Sequence, residues 1–83
     1  MKVLVSKEFQ EKAERPENHI RFSVKKMIST LENLNPPDLE RGGNVQRARG
    51  VSEEIYVTRI DSFRVFFTRQ NDKLVLLDAE WCS

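Results

Sequence analysis

The sequence is poor in the residues on which much enzyme chemistry depends. It holds one cysteine, Cys82, and one histidine, His19, in 83 residues. A lone cysteine closes no internal disulfide, and the two together supply no set of soft ligands for zinc. Neither a metal nor a cofactor is therefore expected. Three glycines and three prolines are too few for a collagen-like or low-complexity chain. No Gly-Lys-Ser/Thr follows Gly42 and Gly43, which removes a phosphate-cradling loop. Long apolar runs are also missing. Val3, Leu4 and Val5 are interrupted at once by Ser6 and Lys7, well short of a secretory signal or of the roughly 20 residues of a membrane span. The expectation is a cytoplasmic protein with no membrane partner.

What remains is a charged chain of one-domain size. Residues 1–83 suffice for a single small core, with little sequence to spare for a second function. Net charge is only +1, but its distribution is uneven. Lys and Arg balance Asp and Glu over residues 1–40, seven against seven. Residues 41–69 carry six basic residues, all arginine (Arg41, Arg47, Arg49, Arg59, Arg64, Arg69), against Glu53, Glu54 and Asp61. The arginine fork matches phosphate or carboxylate oxygens, whereas lysine is a point charge that serves for solubility. Sheet-surface ion pairs would also use arginine, so composition alone leaves both readings open.

Periodicity gives the elements. Residues 2–5 (KVLV) suit a short strand, and Ser6 can cap a helix that starts at Lys7 and buries Phe9 and Ala13. From Glu17 the apolar positions Ile20, Val24, Met27, Ile28, Leu31 and Leu34 define one face of a helix of about four to five turns. His19 and Arg21 lie beside that stripe and are expected in solvent. "NLNPPDLERGGN" then breaks the helix as a surface connection. "NVQRAR" is a weak strand candidate, while residues 55–60, 63–69 and "KLVLLDAEW" are rich in β-branched, aliphatic and aromatic side chains. The predicted order is β-α-α-β-β-β, an α+β fold with an antiparallel sheet covered by two helices on one face.

Asp61 and Ser62 lie between the two best strands and suggest a two-residue hairpin. Ile60 then faces Phe63, Arg59 faces Arg64, Thr58 faces Val65, Val57 faces Phe66 and Tyr56 faces Phe67. Opposed residues share a face. Tyr56, Thr58, Ile60, Phe63, Val65 and Phe67 go toward the helices, while Ile55, Val57, Phe66 and both arginines go to the open side. For the next turn, a loop of Asn71, Asp72 and Lys73 pairs Val65 with Ala79, Phe67 with Leu77 and Arg64 with Glu80, and leaves Leu76 on the open side. A strictly alternating strand shifted by one would drive Asp78 and Glu80 into the core. Glu80 could simply neutralise Arg64. Alternatively, two guanidiniums and a carboxylate form a small site in which the arginines hold a phosphodiester and Glu80 is available to take a proton.

These features resemble the RelE/ParE superfamily of bacterial type II toxins. The resemblance rests on "LENLNPP", on Ala48-Arg49-Gly50, on Tyr56-Val57-Thr58-Arg59, on Ser62-Phe63-Arg64-Val65 and on the final "KLVLL", and it spans nearly the whole chain. It implies a toxin that cuts messenger RNA on the ribosome and is restrained by a cognate antitoxin, with room for a small homo-oligomer. It also implies that Arg64 lies at the active site, with Arg59 and Arg49 at further basic positions; Arg47 and Arg69 join the phosphate-binding set, and Glu80 is the candidate base. Relatives that cut RNA usually carry a basic residue, tyrosine or histidine at the end of the last strand. This chain has Glu80-Trp81-Cys82-Ser83 there and no evident general acid. Two other outcomes stay open: a ParE-type inhibitor of DNA gyrase, and a degenerate module that only binds an antitoxin.

Overall fold

The computed structural model describes residues 2–15, 20, 23–34, 45–47 and 54–82. The elements run β1 (Lys2–Val5), α1 (Lys7–Glu14), α2 (Val24–Glu32), β2 (Val45–Arg47), β3 (Ile55–Ile60), β4 (Phe63–Gln70) and β5 (Lys73–Trp81). All strands join one sheet in the order β1-β5-β4-β3-β2. Strands β2 to β5 are antiparallel neighbours, and β1 lies parallel to β5, so the sheet is mixed. Within the weak candidate "NVQRAR", Val45–Arg47 is a real edge strand, which adds one strand to the expected order.

Helix α1 begins where the sequence predicts. The Ser6 hydroxyl oxygen accepts a hydrogen bond from the Phe9 amide at 3.2 Å, satisfying one of the donors a helix start leaves unpaired. The same hydroxyl donates to the Leu77 carbonyl, and the Ser6 amide donates to that of Leu76. One residue thus ends β1, starts α1 and fixes both to β5. Helix α2 begins at Val24, later than its apolar stripe suggests. Ile20 still belongs to the core, while positions 16–19 and 21–22 lie outside the described residues, His19 and Arg21 among them. Met27 and Leu31 are buried completely, beside the partly buried Val24, Ile28 and Leu34.

The core lies between these helices and one face of the sheet. Tyr56, Thr58, Ile60, Phe63, Val65 and Phe67 are all buried, as the two-residue hairpin requires. The register from Tyr56↔Phe67 to Ile60↔Phe63 is the predicted one. Its loop holds Asp61 at φ 56°, a left-handed backbone that Asp tolerates better than most residues.

Strand β5 departs from the expected pairing. The β4–β5 loop has two residues, Asn71 and Asp72, with Gln70 opposite Lys73, and Phe67 pairs with Leu76 rather than Leu77. Leu74 and Leu76 are therefore in the core, and Leu76 is not on the open face. Strict alternation from there would bury Asp78 and Glu80. A bulge between the Phe67↔Leu76 and Phe66↔Asp78 pairs, with Leu77 as the extra residue, reverses the alternation. Beyond it Val65 faces Ala79 and Arg64 faces Glu80, as expected. Lys12 of α1 reaches the same stretch, its ammonium donating at 2.9 Å to both Asp78 Oδ1 and the Ala79 carbonyl.

Candidate phosphate site on the open sheet face

Hairpin β3–β4 sets Arg59 directly opposite Arg64, and β5 sets Glu80 opposite Arg64 on the other side. All three are exposed. Opposed Cα atoms in an antiparallel ladder lie about 4.5–5.5 Å apart, so the two guanidiniums can converge on one small anion. Arg59, Arg64 and Glu80 take part in no ion pair with another described residue. Both described helices pack on the opposite face, through Phe9, Ala13, Met27 and Leu31. The arrangement offers two forked donors with five N–H groups each and a carboxylate able to accept a proton.

Two of the other candidate arginines, Arg47 and Arg69, are not brought to this place. Arg47 faces Tyr56 and so shares the helix-side face, exposed at the sheet edge. Arg69 faces Leu74, also on the helix side, and its Nε donates to the Asn71 carbonyl at 3.1 Å. Five positions along β4 separate it from Arg64, or about 17 Å at strand spacing. Arg49 lies outside the described residues. Tyr56 points into the core as expected: its ring stacks on Phe67 at 5.7 Å between centroids, and its hydroxyl donates to Glu54.

Two neighbours escaped sequence reading. Lys26 of α2 pairs with Asp61 in the hairpin loop, a contact between distant segments that no local pattern signals. Trp81 lies opposite Phe63, edge-on at 5.3 Å, and remains 64% exposed. Its signal was present in the predicted register, which with Arg64 opposite Glu80 also sets Phe63 opposite the last residue of β5. The Cys82 amide donates to the Ser62 carbonyl at 2.7 Å and carries the ladder past Trp81, so the end of the strand is held down. An open groove of about 540 Å³ lies on the helix side between Val5, Phe9, Gln10, Ala13, Glu14 and Val24. It lies on the sheet face opposite Arg59 and Arg64. No helix among the described residues is long and apolar enough to cross a membrane.

No family profile matches the chain, and no curated protein matches it in sequence. Its fold does have a solved counterpart. The RelE chain in the crystal structure of the archaeal RelE–RelB complex from Pyrococcus horikoshii OT3 superposes with a TM-score of 0.60 at 16% sequence identity, covering 96% of this chain and 92% of that one. The protein therefore has the RelE-like α+β fold.

Proposed function

We propose that this protein is the toxin of a toxin–antitoxin pair and that it cuts messenger RNA on the ribosome, in the cytoplasm. The observation that carries this reading is the facing pair Arg59 and Arg64 with Glu80 next to it, on the sheet face opposite the described helices. The RelE-like fold supports it, since the counterpart was solved in a complex named for RelE and RelB.

Cleavage would use the RNA's own 2′-hydroxyl. The Glu80 carboxylate takes its proton, the 2′-oxygen attacks the adjacent phosphorus, and a dianionic phosphorane forms. The two guanidiniums face that charge and stabilise it more than they stabilise the monoanionic ground state. Collapse expels the 5′-oxygen, which collects a proton, and leaves a 2′,3′-cyclic phosphate. No described side chain is an evident donor for that last proton. Alignment of the message by the ribosome supplies part of the barrier reduction in its place.

Induction in a sensitive host tests the reading. Growth arrest with new 5′ ends in a translated message, read by primer extension and lost in Arg64→Ala, is the expected result. An Arg64→Ala variant as toxic as the parent would exclude the site. The end of β5, Glu80-Trp81-Cys82, which lacks a histidine, tyrosine or basic residue, favours a second reading: a ParE-like inhibitor of DNA gyrase. Gyrase-dependent DNA damage with intact messages would select that instead.

A further inference from the structure

Behind Glu80, Arg64 and Arg59 on the open face, the pairing of β2 to β5 sets Asp78, Phe66, Val57 and Gln46 side by side. Phe66 is the one aromatic side chain that the described strands place on this face, since Tyr56, Phe63, Phe67 and Trp81 all belong to the helix side. It is half-buried, as are Val57 and Asp78 on its two sides, and Gln46 is exposed in the edge strand. Two positions along β4 put Phe66 about 7 Å from Arg64, within the span of one nucleotide from phosphate to base.

Asp78 reaches this row through the bulge, because strict alternation from Leu76 would bury it. Its carboxylate is then fixed from two directions. Oδ1 accepts from the Lys12 ammonium at 2.9 Å and from the Ala79 amide at 2.8 Å. Oδ2 takes no hydrogen bond from another described residue, and the side chain is 44% exposed. The ion pair with Lys12 offsets the charge of Asp78, so the carboxylate repels a nearby phosphate little while its second oxygen stays an acceptor.

We propose that Phe66 is a stacking platform for one base of the RNA, on one of the two nucleotides joined by the phosphate between Arg59 and Arg64, and that Asp78 selects this base by accepting a hydrogen bond from its exocyclic amine. The inference rests on the nuclease reading and names the specificity of that same site. Single-stranded RNA is read by splaying bases onto aromatic rings and bonding their edges; this row supplies one ring for the plane and one fixed carboxylate for the edge. A carboxylate accepts and does not donate. Adenine, cytosine and guanine each carry an exocyclic amine, whereas uracil has carbonyl oxygens in its place. Gln46, with both a donor and an acceptor, imposes no such choice. The apolar stripe of a protein partner suits the row less well, because it would desolvate Asp78 and Gln46 along with Phe66 and Val57.

The test uses two dye-labelled 2′-O-methyl octanucleotides, all cytosine and all uracil, which lack the hydroxyl needed for cleavage. They are titrated against the purified protein by fluorescence anisotropy at one fixed salt concentration, because the phosphate contribution depends on salt. The cytosine octamer is expected to bind at least about fivefold more tightly than its twin. Phe66→Leu should weaken both at least about fivefold, the lower end of the loss on removing one stacked base, while Phe66→Tyr keeps the parent affinity. Asp78→Asn should bring the two octamers within about twofold of each other, since an amide can donate as well as accept; circular dichroism matching the parent's establishes that each variant is folded. Equal binding of the twins by the parent, binding of neither, parent-like binding by Phe66→Leu, or a cytosine preference kept in Asp78→Asn would each overturn the proposal. So would self-association of the parent that Phe66→Leu abolishes, because the face would then belong to a second copy. A parent that prefers the cytosine octamer but cuts no translated message would refute the nuclease reading alone, and Arg64-dependent cleavage with equal binding of the twins would refute the platform alone.

Discussion

Replacing Arg59 and Arg64 by glutamine, singly and together, asks whether the pair is held in mutual repulsion while no ligand is present. With the side chains directly opposed, charges about 6 Å apart repel by about 0.7 kcal/mol in water and by about 2.8 kcal/mol at an effective dielectric near 20. Like charges facing across a ladder destabilise by roughly 0.2–1 kcal/mol, which places this exposed pair near the lower figure. A screening length of about 8 Å at physiological ionic strength roughly halves it. A double-mutant cycle separates this coupling from the packing each arginine stem contributes. Chemical denaturation in low salt should give a repulsive coupling of about 0.5–1 kcal/mol, falling by about half at 0.15 M salt. In an 83-residue domain the low-salt value corresponds to about 2–8 °C in Tm. Inorganic phosphate should raise the Tm of the parent more than that of the double variant. An attractive or salt-independent coupling would refute the reasoning. So would destabilisation by Arg64→Gln that Glu80→Gln reproduces without additivity, because Arg64 and Glu80 would then form a structural ion pair.

Three further outcomes follow from the fold. Ser6→Ala removes the cap of α1 and the bond to the Leu77 carbonyl, and should cost about 1–2 kcal/mol in denaturant titration. Asn71 holds a φ of 58°; Asn71→Val should cost roughly 1–2 kcal/mol, while Asn71→Gly leaves thermal stability equal or higher. Deleting Leu77 removes the bulge residue but lets Leu74, Leu76 and Ala79 alternate regularly. It should leave a cooperatively folding protein with Arg64 still opposite Glu80, detectable as a cross-strand NMR contact.

The legible parts of the fold were those fixed by local pattern. Two strands that alternate cleanly around Asp61-Ser62 admit one register, the one that sets Arg59 against Arg64. Ser6 and Phe9 announced α1 in the same way. Strand β5 was harder because "LVLL" is apolar at both parities. Alternation there cannot choose between burying Leu74 with Leu76 and burying Val75 with Leu77, and the bulge that reconciles the first choice with Ala79 sits where β1 ends and α1 begins. The parallel pairing of β1 with β5 joins chain segments some 70 residues apart, beyond any periodicity. Of the candidate site, Arg59, Arg64 and Glu80 share one face. Arg47 and Arg69 do not, because their positions in β2 and β4 fall on the other side of the pleat.

That difference between faces provides the most direct test of the account. Single-turnover cleavage of a ribosome-bound message should fall about 10²–10³-fold in Arg64→Ala, the loss expected on removing one transition-state donor. Arg47→Ala and Arg69→Ala, altered on the opposite face, should stay within a few-fold of the parent. Equal losses for all three, or full activity in Arg64→Ala, would contradict a phosphate held between the facing arginines.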